Sequence, residues 1–224
     1  MPLVGSKYTT CTDDCGSELR LMVIGRAVNG WNKMDVQNKK EFISAIQTQF
    51  NNNSFEEGVY EENGKLYFNP DYTLTRSAFW RTSRRIWVEL SGKNEVRWVD
   101  NIVWSNIYSF SLYIRESYAP NVQKATVCLQ RIIKKEIEFF KPTHILLVTD
   151  WNWIADYEEN SFLSVFATYE KADGKYVAGT AWYECYDRYK IPVVITYRPD
   201  KREHGRTETI FVNDVLECFR KLKE

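Results

Sequence analysis

Amide, aromatic and cationic side chains are concentrated in four short segments, each of which follows an apolar run. An amide donates and accepts hydrogen bonds, an aromatic ring stacks on a planar ligand, and an arginine holds an anion. Such a set could bind a polar, planar molecule. The four segments are Gly25-Arg26-Ala27-Val28-Asn29-Gly30-Trp31, Ser105-Asn106-Ile107-Tyr108, Thr149-Asp150-Trp151-Asn152-Trp153 and Arg198-Pro199-Asp200-Lys201-Arg202-Glu203-His204-Gly205-Arg206.

The apolar runs before these segments predict four buried strands, over residues 19–24, 99–104, 144–149 and 191–197. We expect the first strand to stop at Gly25. Apolar residues at helical spacing predict helices over residues 35–50, 71–90, 125–140 and 211–222. The last of these helices is expected to turn Val212, Val215, Leu216 and Phe219 inward.

Strands that alternate with helices indicate right-handed crossovers and a mainly parallel sheet with helices on both faces. The sequence therefore predicts an α/β fold, a three-layer αβα sandwich around a mainly parallel four-stranded sheet. Ligands of such sheets bind beyond the carboxyl ends of the strands. The four polar segments are expected to meet there and form a cleft.

Two small hairpins are predicted as insertions in this sheet. One turns at Asn63-Gly64, and the other spans residues 164–183 and turns at Asp173-Gly174. No linker or repeat divides the chain, so residues 1–224 are expected to form a single domain with residues 1–18 as an N-terminal extension.

The composition is that of a globular protein, with 44% hydrophobic residues in 224. Thirty basic residues balance thirty acidic ones, so any contact with DNA must come from a local basic patch. The sequence starts without a signal-peptide pattern and has no apolar stretch of membrane-spanning length. We expect a cytoplasmic protein that does not associate with membranes.

No cofactor and no metal are expected. The five cysteines are too irregularly spaced for a disulfide framework or an iron-sulfur cluster: three residues separate Cys11 from Cys15, and Cys128 and Cys218 fall within predicted helices. Dinucleotide-binding, phosphate-loop and serine-hydrolase patterns, namely Gly-x-Gly-x-x-Gly, Gly-Lys-Ser/Thr and Gly-x-Ser-x-Gly, do not occur in the sequence.

In this order, the four segments resemble the uracil-DNA glycosylase superfamily. Its members have a strand followed by a glycine-containing motif that holds the hydrolytic water, and a second strand that ends in a base-reading Asn. A helix leads to the third strand, and the fourth opens a His-Pro loop that enters DNA and stabilises the leaving base. The resemblance covers residues 19–222, with insertions at the two hairpins.

For the first segment, the resemblance implies that Asn29 places the water, within a site formed by Gly25, Arg26, Gly30 and Trp31. An amide orients a water but does not take its proton, so the glycosidic bond would have to break first. Asp35 is the nearest carboxylate alternative. A plain turn also explains Asn29-Gly30.

For the second segment, the resemblance implies that Asn106 reads the base, since an amide pairs with a pyrimidine edge. Trp31, Tyr108 and Phe110 could stack on a flipped base. The alternatives are an Asn that merely ends a strand and aromatic residues that pack the core.

The fourth segment departs from the family, because Arg198-Pro199 replaces His-Pro and the nearest histidine, His204, lies six residues later. Arg198 can stabilise an anion but does not shuttle protons near neutral pH. His204 is the other candidate for steadying the leaving base. The remaining histidine, His144, is interpreted as structural.

Basic residues near the expected cleft are candidates for contacts with DNA phosphates. They lie on the predicted helix 71–90 and in the fourth segment, and they are equally compatible with a solvated surface. The candidates are Arg81, Arg84, Arg85, Lys201, Arg202 and Arg206.

The resemblance implies a DNA glycosylase that flips a deaminated or damaged base into the cleft and hydrolyses its N-glycosidic bond. Two alternatives stay open. One is an inactive member of the fold that binds nucleic acid or a nucleobase-like ligand, and the other is a protein-interaction domain with exposed aromatic residues.

Overall fold

The computed structural model describes residues 2–27, 59–68, 74–108, 120–155, 161–172, 174–185, 189–199 and 207–223. Strands in these ranges are β1 (Leu3–Val4), β2 (Leu21–Ala27), β3 (Val59–Glu62), β4 (Lys65–Phe68), β5 (Ile102–Tyr108), β6 (His144–Val148), β7 (Thr168–Lys171), β8 (Val177–Glu184) and β9 (Lys190–Thr196). The α-helices are α1 (Ala78–Ser91), α2 (Pro120–Phe140), α3 (Asn152–Ala155) and α4 (Glu208–Lys221). Short 3-10 helices cover Tyr8–Thr10, Leu74–Arg76, Trp98–Asn101 and Phe162–Val165.

A mixed sheet of seven of these strands, in the order β1-β5-β2-β6-β9-β8-β7, organises the described part of the chain. Its four middle strands are parallel, and they are the four predicted from the apolar runs. The prediction that the sheet has four strands is wrong. Strand β1 is added beside β5, and the β7–β8 hairpin is added beside β9, through antiparallel pairing in each case.

The middle strands are apolar on both sides because each side meets its own hydrophobic cluster. Leu21 and Val23 of β2 belong to a cluster that includes residues of α1 and α4. Met22 and Ile24 belong to a second cluster that includes Ile133 and Ile137 of α2. The residues of the last helix that were expected to face inward, Val212, Val215, Leu216 and Phe219, are all buried.

Two strand boundaries differ from the sequence-based expectation. β2 does not stop at Gly25 but continues to Ala27, because Gly25 is paired with Asn106 on one side and with Val148 on the other. The second apolar run begins as a 3-10 helix, so its strand β5 starts at Ile102 and continues to Tyr108. Asn106 therefore lies inside a strand and not beyond its end.

The two hairpins are confirmed, but they have different roles. Asn63 and Gly64 both have positive φ, 51° and 71°, as a tight two-residue turn requires, and the β3–β4 hairpin is a separate two-stranded sheet. The β7–β8 hairpin is not a separate insertion. It covers the side of β9 that would otherwise be an exposed sheet edge.

The first residues of the chain also take part in the sheet, since Leu3 pairs with Trp104 and Val4 with Val103. The predicted helix over residues 35–50 lies outside the described residues. Among the helices of the described ranges, none combines the length and the apolar character that crossing a membrane requires.

Candidate functional site

The carboxyl ends of β5, β2, β6 and β9 meet at one edge of the sheet. Gly25 of β2 lies opposite Asn106 and Val148, and Val148 lies opposite Thr196. The chain moves from β2 to β5 on one side and then crosses to β6 on the other, so the connections diverge between β2 and β6. Crevices that bind ligands open at such switch points.

The Asn106 side chain lies directly over Gly25. A Cβ built on Gly25 would be 2.5 Å from Asn106 Oδ1 and 3.6 Å from Phe79 Cε2. A side chain at position 25 would therefore displace the amide. Asn106 is 8% exposed, so little solvent reaches it in this position. The glycine in β2 thus provides the space in which the amide of β5 is held.

Aromatic side chains of α1 and β5 form one wall beside this amide. The rings of Phe79 and Trp80 are 5.0 Å apart and nearly perpendicular, and those of Trp80 and Trp104 are also 5.0 Å apart. Edge-to-face contacts of this kind hold the rings in defined orientations. Asn106 is thus a buried amide beside aromatic rings of defined orientation.

Ser105 and Asn106 are adjacent in sequence but serve opposite faces of the sheet. Ser105 Oγ donates a hydrogen bond to Glu136 Oε2 of α2 at 2.6 Å. Burial raises the pKa of the Glu136 carboxyl, and the Ser105 hydrogen bond partly opposes this. This carboxyl is thus satisfied on the α2 side, whereas Asn106 faces α1.

Asp150 connects the ends of β6 and β9. Its backbone N–H donates to the Thr196 carbonyl oxygen at 3.0 Å, and its Oδ1 accepts from the Arg198 N–H at 2.9 Å. Its φ of 68° is in the left-handed region, which aspartate tolerates better than most residues. Asp150 therefore fixes the backbone that carries Arg198. Sequence reasoning did not select Asp150, although its position directly after a buried strand was a usable signal.

The structure brings together only some of the site residues that the sequence suggested. Gly25, Arg26 and Asn106 lie on neighbouring strands, Tyr108 ends β5, and Arg198 follows β9. Arg26 and Arg198 are partly exposed. The others lie outside the described residues, and they are Asn29, Gly30, Trp31, Lys201, Arg202, His204 and Arg206, together with the alternatives Asp35 and Phe110.

Polar residues of neighbouring elements hold the three candidate arginines of α1. Arg81 Nε donates to Glu208 of α4 at 3.0 Å, and Arg85 Nη2 donates to Thr209 Oγ1 at 3.2 Å. Arg84 Nη2 donates to Asn94 Oδ1 at 2.9 Å. All three line a pocket together with Trp80, whose ring also packs on Trp104. The helix turns them away from the face that carries Phe79.

His144 lies at the opposite end of β6 from the cleft. Its Nδ1 is 2.9 Å from Thr143 Oγ1, and its ring packs edge-to-face on Phe219. Burial, together with the charge of Lys223, lowers the pKa of His144 to about 3. A buried, neutral imidazole at the far end of the strand agrees with the structural role expected from the sequence.

Within the described ranges, the group of side chains with metal-ligand spacing is Asp13, Asp14 and Cys15, near the N-terminus and away from the cleft. Asp13 Oδ1 accepts hydrogen bonds from the backbone N–H groups of Cys15 and Ser17. The negative charge of Asp14 raises the pKa of the Cys15 thiol, which weakens it as a ligand. Cys11, Cys15, Cys185 and Cys218 are free thiols.

The sequence matches no protein-family model, and no curated protein matches it. The site is therefore interpreted from its own geometry.

Proposed function

We propose that the cleft at the carboxyl edge of the sheet binds a nucleobase, and that the protein is a uracil-DNA glycosylase-like enzyme that removes a deaminated or damaged base from DNA. In this proposal, α1 and α4 cover one face of the sheet and α2 the other, as a three-layer αβα sandwich. The observation that carries the proposal is the Asn106 amide held over Gly25 beside the switch point.

The chemistry of an amide fits this ligand. Asn106 offers a donor and an acceptor side by side, which matches the alternating donor and acceptor groups on the edge of a base. Because the Asn106 amide is uncharged, it would distinguish bases by their hydrogen-bonding groups and not by their charge. The rings of Phe79, Trp80 and Trp104 hold one another in fixed orientations, so they would form a rigid wall beside a bound base.

The proposed reaction is hydrolysis of the N-glycosidic bond. The bond between the base and C1′ breaks, and its electron pair leaves with the base. The oxygen of a water, placed by Asn29, then joins C1′, and a proton released by this water neutralises the base. Arg198 stabilises the anionic base electrostatically, and Asp150 holds the Arg198 backbone in place. His204 is the alternative group for the leaving base.

A second candidate function is nucleobase or nucleic-acid binding without hydrolysis. It is favoured by the sequence of the fourth segment, in which Arg198 stands where the family has a histidine. In this alternative Asn106 recognises the base in the same way, but no bond is broken.

An excision assay separates the two functions. Purified protein is incubated with labelled single- and double-stranded oligonucleotides that contain uracil, hypoxanthine or xanthine, and abasic sites are then cleaved with alkali. The glycosylase proposal predicts strand breaks at one of these bases. Salt-dependent binding without breaks at stoichiometric protein would favour the binding function and overturn hydrolysis.

A further inference from the structure

A pocket of about 230 Å³ lies between α1, the β3–β4 hairpin and the start of α4. None of the residues that line it belongs to the central strands. The lining is Gly64, Lys65, Leu66, Leu74, Thr75, Trp80, Arg81, Arg84, Arg85, Val96, Trp98 and Glu208.

The charge of this lining is strongly one-sided. Four basic side chains, Lys65, Arg81, Arg84 and Arg85, face a single carboxylate, that of Glu208. Both Glu208 oxygens accept from Arg81 Nε, at 3.0 and 3.2 Å, so this carboxylate is engaged with one of the four. Among the described residues that line the pocket, the other three cationic side chains have no carboxylate partner. Such a concave, cationic surface attracts an anion.

Two of the guanidinium groups are positioned by hydrogen bonds to residues outside the pocket lining. Arg84 Nη2 donates to Asn94 and Arg85 Nη2 donates to Thr209. Arg84 Nε is buried and has no hydrogen-bond partner among the described residues. Buried donors of this kind are normally satisfied, so this N–H would gain a partner from an acceptor that reached it.

The rest of the lining is apolar. Leu66, Leu74, Trp80 and Trp98 are buried around the pocket, and Val96 is 43% exposed at its rim. A bare inorganic anion would use only the cationic side. An anion that carries a small organic group would use both parts of the lining.

We propose that this pocket binds the phosphate group of a phosphate monoester, either a free mononucleotide or the terminal phosphate of a nucleic-acid strand. A monoester carries between one and two negative charges near pH 7 and presents three acceptor oxygens, which suits several arginines at once. An internal phosphodiester carries one charge and is flanked by sugars on both sides. The pocket thus selects a chain end or a small ester over the continuous DNA backbone.

This inference does not rest on the proposed glycosylase function, because the pocket and the cleft use different polar residues. Substitutions of the basic side chains of the pocket leave Asn106 and Gly25 unchanged, although Trp80 lines the pocket and also packs on Trp104. A failure of base excision likewise says nothing about phosphate binding, so the two proposals are tested separately.

The test is isothermal titration calorimetry of the full chain at about 50 mM salt, where surface charges are only partly screened. The ligands are inorganic phosphate, a nucleoside 5′-monophosphate, the same nucleoside, and one oligonucleotide with and without a 5′-phosphate. We expect at least one monoester to bind and the nucleoside and the unphosphorylated strand to bind more weakly. Binding of the free monophosphate identifies the mononucleotide as the source, and binding of the phosphorylated strand alone identifies the strand end.

Matched variants locate the binding. Arg84→Gln is expected to weaken the monoester about tenfold or more, the usual effect of losing a hydrogen bond to a charged group. Arg76→Gln removes the same charge from an exposed position outside the pocket lining and is expected to change affinity by less than about twofold. Lys65→Gln, at an exposed hairpin position, provides a second pocket variant whose folding is not at risk.

Three results would overturn the proposal. The first is no binding of any phosphate monoester, and the second is equal binding of the nucleotide and the nucleoside. The third is equal loss of affinity in Arg84→Gln and Arg76→Gln, since this would show a general charge effect and no defined site.

Discussion

The cleft and the arginine pocket both border α1, yet they are built from opposite kinds of chemistry. The cleft places a neutral amide on a central strand, over a glycine and beside aromatic rings. The pocket places four cations on a helix and a hairpin at the periphery. Phe79 and Arg81 are two residues apart, which is about 200° around a helix, so one helix serves both regions. A chain without net charge thus holds a buried amide and a cluster of cationic side chains at different places along one helix.

The largest expected effect comes from removing the Asn106 amide. Asn106→Ala is expected to reduce base excision by about a hundredfold or more, the usual cost of losing a precisely placed hydrogen-bonding group in a catalytic site. Binding of a phosphate monoester to the pocket is expected to stay the same. Excision kinetics and calorimetry on one preparation measure both effects.

The matched control is Asn101→Ala. Asn101 is also buried, but it lies just before the amino end of β5, where its Nδ2 donates to Glu95. Excision by this variant should stay close to that of the unaltered protein. Equal loss of excision in both variants would show that Asn106 acts through folding and not through the base.

The second prediction concerns the contact that positions the amide. Gly25→Ala places a methyl carbon 2.5 Å from Asn106 Oδ1, and overpacking of this kind costs about 1–3 kcal/mol of unfolding free energy. In an Asn106→Ala background the same change should cost much less, because the obstructing atoms are gone. Urea unfolding of the four proteins of this double-mutant cycle measures the coupling. Additive costs would mean that Gly25 and Asn106 do not restrain each other.

The third prediction concerns the stability of the fold alone, because His144 belongs neither to the cleft nor to the arginine pocket. The unfolded-state pKa of His144 is near 6.5, whereas burial lowers the folded-state pKa to about 3. Between these values only the unfolded chain binds the proton. Stability contributed by the neutral ring is therefore lost as the pH falls below 6.5, by about 1.4 kcal/mol per pH unit.

Urea unfolding at pH 7.5, 6.5 and 5.5 tests this expectation. His144→Gln does not titrate, so its unfolding free energy should fall less steeply between pH 6.5 and 5.5 than that of the unaltered protein. Parallel slopes for the two proteins would contradict the assignment of this pH dependence to His144.

The central strands and most helices could be predicted from the sequence because their signals are local. Ile145, Leu146 and Leu147 form a continuous apolar run, as expected of a strand that is buried on both faces. Lys141-Pro142 correctly marked the end of α2 at Phe140. The Asn63-Gly64 turn carried its own conformational requirement and was confirmed.

The structure differs from the sequence-based expectations where distant parts of the chain meet. The continuation of β2 through Gly25 depends on pairing with β5 and β6, which no local pattern contains. Likewise, the placement of Arg81 depends on Glu208, 127 residues away. The sequence suggested Asn106 as a site residue, which stays a prediction, but only the structure showed that its side chain lies over Gly25.

The most direct test of the central claim observes the Asn106 amide itself. In ¹⁵N-labelled protein, the side-chain NH₂ signals of Asn106 are assigned by their absence in Asn106→Asp, and free uracil, hypoxanthine and xanthine are then added in turn. A base-reading role predicts a saturable shift of these signals with one of the bases, while the NH₂ signals of Asn101 stay in place. Asn106 signals that do not move up to the solubility limit of each base would contradict it.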